Sequence, residues 1–209
     1  MKTDSIEKMI AERFARSSGR QLRELIAAIA ENRGQVADPA TLDAGVTFVR
    51  GYIQQVPYMI KVGWTAACNV GLEKEMRGIV QTAQSYWDQD NDIIPDHIGV
   101  IGLMDDAYCS MTALQAVSDH YQLQTGSFLF PTDLSSANRL MRELIGEPYA
   151  SELDQLVLKS LSDACVMQAV KVMASQEKQL KFEAQGTIWH HEAAQIIDTT
   201  VASKLGIDA

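Results

Sequence analysis

A chain of 209 residues with 46% hydrophobic and 22% charged side chains is long enough to bury a sizeable core and too apolar to remain disordered. Its 27 acidic against 18 basic residues leave a formal charge of −9, so a phosphate backbone would be bound only against the overall field, and nucleic acid is set aside as a partner. The stretch from Met1 to Lys8 lacks the apolar centre of a signal peptide, and no window reaches the run of about 18 uncharged apolar residues that reads as a membrane span. Cys68, Cys109 and Cys165 are odd in number, widely spaced and set in apolar runs, which predicts reduced, core-packed thiols and a cytoplasmic protein.

In chain order, Ile6, Met9, Ile10 and Phe14, then Leu22, Leu25, Ile26 and Ile29, recur at three- and four-residue spacing. That spacing predicts amphipathic helix, interrupted at Ser17-Ser18-Gly19 and ended by Gly34. Asp38 followed by Pro39 reads as an N-cap with proline in the first helical position, and Phe48, Val49, Tyr52, Ile53 and Val56 carry the stripe to Pro57, where a kink or break is expected. The apolar stretch Val56 to Leu72, interrupted by Lys61, reads as a buried helix. A further stripe of Met76, Ile79, Val80, Ala83 and Tyr86, opposite Glu73, Lys74, Glu75 and Arg77, runs from Leu72 to about Trp87.

The chain then enters Tyr86-Trp-Asp-Gln-Asp-Asn-Asp92-Ile-Ile-Pro95-Asp96-His97, followed by an apolar stretch to Met104 and by Asp105-Asp106. Tyr108, Met111, Leu114, Val117 and Tyr121 continue as a helical stripe, with Asp105 placed as its N-cap and Asp106 in its first turn. Gly126 to Pro131 is a break. Pro131-Thr132-Asp133 signals the start of a short helix, Leu134 to Ile145, closed by Gly146. Beyond Pro148 the residues Leu153, Leu156, Val157, Leu161, Ala164, Val170 and Met173 predict one long helix. Gly186 then marks a boundary before Ile188, Ile196, Ile197, Val201 and Leu205. No segment alternates as a strand does, so the expected fold is all-α: one domain over residues 1–209, a bundle of about six to eight helices.

Asp92-Ile-Ile-Pro95-Asp96, then Ile98, Val100-Ile-Gly102 and Asp105-Asp106, resemble the signature of the YkvA-like family, a bacterial domain of unknown function. The resemblance covers the motif region 87–123, with Asp90 and Gly99 where that family usually has proline. It implies no agreed activity, and many such proteins carry an adjoining apolar hairpin that suggests membrane association; this sequence has none. From Trp87 to Asp119 there is no Lys or Arg, so an anionic bilayer would repel the stretch, and peripheral membrane contact is disfavoured.

The residues themselves admit three readings of the motif. In the first, Asp92 and Asp96 cap backbone donors around a turn at Pro95, Gly102 takes a strained φ, and Asp105 caps the following helix. In the second, Asp92, Asp96, Asp105 and Asp106 converge as hard oxygen ligands for Mg²⁺ or Ca²⁺ with His97 nearby, although the spacing fits no EF-hand loop. In the third, Ile93, Ile94, Ile98, Val100, Ile101, Leu103 and Met104 form an exposed patch for a partner or a membrane surface. Elsewhere, Trp189-His190-His191-Glu192 is the only other chemically conspicuous cluster. Glu183, His190 and His191 do not share a helix face, so a metal there would need His120 or Asp119 as well. No nucleophile–base pair, phosphate loop or His-Glu-x-x-His occurs. Tyr52, Tyr58, Trp64, Tyr86 and Trp87 are either core or the lining of an apolar pocket. The expected function is a non-catalytic binding or interaction module built around the acidic connector, with a protein partner or small apolar ligand; the alternative is a Mg²⁺- or Ca²⁺-dependent hydrolase or lyase using the aspartates.

Overall fold

The structure, a computed structural model, describes residues 3–87, 94, 99–174 and 197–207. It is all-α: among the described residues there are nine α-helices, eight of them of seven residues or more, and no strand. They are α1 Asp4–Arg16, α2 Arg20–Asn32, α3 Pro39–Val70, α4 Glu73–Trp87, α5 Met104–Thr125, α6 Ser135–Ile145, α7 Tyr149–Asp163, α8 Val166–Ala174 and the single turn α9 Val201–Lys204. A 3₁₀ turn at Ile101–Leu103 leads directly into α5.

Local signals set most of these boundaries. Gly19, at φ 72°, separates α1 from α2. The Asp38 side chain accepts the Thr41 N–H at 2.7 Å and caps α3, with Pro39 behind it in the first turn. α3 ends in a Schellman-type closure: Gly71 takes φ 77° and the Leu72 N–H reaches back to the Ala67 carbonyl at 2.8 Å, satisfying carbonyls that the last turn leaves open. Pro57, where the sequence suggested a kink or a break, does not break the helix. It lies buried within a continuous α3, where Ile53, Val56, Met59 and Ile60 are almost wholly excluded from solvent on both sides of it. The lost hydrogen bond and ring clash cost about 3 kcal/mol, and burial of those four side chains, at roughly 1.5–3 kcal/mol each, exceeds that.

The expected long helix after Pro148 is two helices. Cys165 takes a left-handed φ of 54° and its carbonyl accepts the Ala169 N–H, so the chain turns there and restarts as α8. A residue with a Cβ resists that conformation, and nothing at Ala164-Cys165 marks the turn in the sequence. Gly186, Ile188 and Ile196 lie outside the described residues; Val201 and Leu205 are buried, as their periodicity suggests.

α5 is the centre of the assembly, in contact with α3, α4, α6, α7 and α8. The expected stripe of Tyr108, Met111, Leu114, Val117 and Tyr121 is buried, but so are Asp105, Asp106, Ala107, Ser110, Ala113, Gln115 and Ser118 on its other faces. α3 approaches α5 closely at Gly63, where a Cβ would lie 2.7 Å from Leu114 Cδ2. The same device brings α2 to α3, with Ile26 carbons 3.0 and 3.1 Å from the Cβ position of Gly45. One continuous apolar core joins residues from Ile6 to Ile207.

The cysteines depart from expectation. All three are free, but Cys68 and Cys165 are exposed and Cys109 only half-buried. The Cys68 and Cys165 thiols fall on the outward side of their helix and turn, while Cys109 packs partly buried against the core.

Candidate functional site

From Met104 to Ser118 α5 is buried on most of its surface, where polar side chains need partners, and several of them reach neighbouring elements. Near its N-terminal end, Ser110 Oγ accepts the Trp87 Nε1–H at 3.1 Å, tying α5 to the last residue of α4. In the same N-terminal part, Tyr108 donates to Asp154 Oδ1 on α7 at 2.6 Å, and Asp154 Oδ2 accepts from Arg142 Nε on α6 at 2.9 Å. Arg142 also donates to Glu147 at 2.9 Å, closing a network across α5, α6, α7 and the loop between the last two. Further along, Gln115 accepts the Leu134 N–H at 2.7 Å at the start of α6 and donates to Asp119 at 2.6 Å. Tyr52 of α3 donates to Asn138 of α6 at 2.7 Å inside the core.

Burial pushes the Tyr108 hydroxyl well above the ordinary phenol range, and its bond to the Asp154 carboxylate adds to the shift. Tyr52 is pushed up for the same first reason, complete burial. Both phenols are therefore hydrogen-bond donors at neutral pH and neither is poised to act as a base.

The sequence-predicted site residues divide into two groups. Asp92, Asp96 and His97 lie outside the described residues, as do Glu183, Trp189, His190, His191 and Glu192. Asp105 and Asp106 are described, and both are completely buried, at 0% and 1% exposure. Asp105 is not the N-cap that its position suggested. The 3₁₀ turn at Ile101–Leu103 starts the helix early, Leu103 occupies the cap position without a side-chain bond, and Asp105 falls in the first turn. Its Oδ2 instead accepts the buried Ile94 N–H at 2.9 Å. A carboxylate in the first turn is favoured by the positive end of the helix dipole, and this one spends an oxygen on holding the connector to the core. Asp106 follows it on the helix, so the two carboxylates point about 100° apart. Among the described residues no three or more His, Cys, Asp and Glu side chains are grouped to hold a metal.

The exposed-patch expectation fails on the residues that can be placed. Ile94, Val100, Leu103 and Met104 are core, and Ile101 packs partly buried against it. Of the aromatic side chains, Tyr52 and Trp87 belong to the core and are wholly buried, while Trp64, on the partly exposed rim, lies under the Arg77 guanidinium at 5.7 Å.

Two reactive groups among the described residues outside the connector are occupied or quenched. His120 Nε2 lies 3.1 Å from the Met167 carbonyl oxygen, which can only accept, so that nitrogen carries the proton and is not offered to a metal. Partial burial, reinforced by Glu73, raises the Cys68 thiol above its ordinary range and works against its thiolate form. Sequence reasoning missed the buried polar ties of α5, Tyr108–Asp154 above all. The available signal was the absence of Lys, Arg and Glu throughout Met104–Thr125, since a helix without long charged side chains on any face is one that others surround. No family model, curated protein or solved structure matches this chain.

Proposed function

We propose that the chain is a non-catalytic binding module whose acidic connector, residues 88–98, takes a positively charged protein segment. The observation that carries this is the bond from the Ile94 N–H to Asp105. It commits a fully buried carboxylate to fixing the connector on the central helix, an expense suited to presenting a segment of chain rather than to turning over a substrate. The connector's composition supplies the recognition: Asp88, Asp90, Asp92 and Asp96 with no Lys or Arg between Trp87 and Asp119 favour a cationic ligand. The ordered spacing of Asp92, Pro95, Asp96, Gly102, Asp105 and Asp106 supports counting the connector as a YkvA-like element within the same proposal.

Calorimetric titration with a lysine-rich peptide tests the reading. Saturable binding that weakens with added salt, and weakens further in the Asp92→Asn/Asp96→Asn double variant, is expected. No binding at low ionic strength, or equal binding by the variant, overturns it.

A second reading rests on Asp105 and Asp106 being adjacent and both completely buried, because neighbouring carboxylates out of solvent are relieved by a counter-ion. Mg²⁺ or Ca²⁺ would be held by Asp92, Asp96, Asp105 and Asp106, oxygen donors of the type both ions require, and could serve a hydrolase or lyase. Metal analysis of protein purified without chelator, with melting compared in the presence and absence of EDTA, separates the two. Stoichiometric metal and a melting temperature lowered by EDTA favour the cation; an unchanged melting temperature removes it.

A further inference from the structure

We draw no further inference here: the strongest candidate, the open cleft of about 360 Å³ between the first half of α3 and the Ile197–Val201 segment, carries nothing, because Thr47 and Asp198 in its lining are spent on backbone groups of their own elements and nothing in the structure shows what covers it.

Discussion

Asp105 and Tyr108 sit near one another along α5, and each reaches out of the central helix to hold another element: one a backbone N–H of the connector, the other a carboxylate of α7. Asp105→Ala leaves the Ile94 N–H without this acceptor in a buried setting, and the expected loss is roughly 1–3 kcal/mol. Asp105→Asn keeps a carbonyl oxygen at the same place and should lose less. Urea denaturation compares them; an alanine variant as stable as the wild type contradicts the anchoring role. That Asp105 stands at a helix start was legible in the sequence, but its partner was not, because the early 3₁₀ turn moves it inward by a fraction of a turn and points it at the connector. For Tyr108, the sign of the pH effect follows from its raised pKa. The folded state keeps the phenol proton where the unfolded chain, titrating near pH 10, has lost it. The stabilisation is therefore complete below about pH 10 and falls away as pH rises through the folded value. Tyr52 contributes to the same alkaline loss. Tyr108→Phe should cost about 1–2 kcal/mol at neutral pH, since Asp154 is partly exposed, and should shallow the alkaline decline, with Tyr52→Phe/Tyr108→Phe flattening it further. Stability measured from about pH 8 to 11 decides this; an undiminished slope in the double variant rules the two phenols out as its source.

α3 contains two glycines whose replacement should act in opposite directions. Alanine is favoured over glycine in a helix interior by roughly 0.5–1 kcal/mol, and at Gly51 a Cβ meets nothing within 4 Å, so Gly51→Ala should stabilise by about that amount. At Gly63 the same methyl group would lie 2.7 Å from Leu114 Cδ2, and Leu114 is buried at the crossing with α5. Overpacking of this kind costs about 1–3 kcal/mol, which exceeds the propensity gain, so Gly63→Ala should destabilise. Chemical denaturation reads both, and two variants shifting in the same direction would show that the close approach at Gly63 does not govern the packing of α3 on α5. The elements themselves were largely legible because their signals are local: Asp38-Pro39 opens α3, while Gly34, Gly71, Gly126 and Gly146 lie at or just past helix ends with positive φ. The exceptions arise where tertiary packing overrides local preference. Pro57 is carried through by the apolar side chains around it, and Cys165 adopts a glycine-like φ that its residue type does not announce. The central position of α5 was hidden for a related reason. Its polar residues suggest a wet face until their partners on α4, α6 and α7 are known.

At the scale of the molecule, the core is built around one helix, and Ile94, within the strongly acidic stretch of sequence, is bonded to that helix's first turn. The surface ion pairs, such as Arg20 with Glu24 and Lys61 with Glu7, are exposed and add little individually. Stability thus rests on the buried apolar core and the polar ties of α5. The all-α class and the acidic motif were readable from periodicity and composition. The bond from the Ile94 N–H to Asp105 is a tertiary contact, which no periodicity encodes. The most direct test follows backbone amide signals of ¹⁵N-labelled protein during titration with a lysine-rich peptide, and separately with Mg²⁺ and Ca²⁺. The account predicts that the peptide shifts signals of residues 88–98, Ile94 and Asp105 among the affected amides, while α7 and α9 stay unmoved. Peptide-induced shifts centred on α7 and α9, or none at saturating peptide, would contradict it.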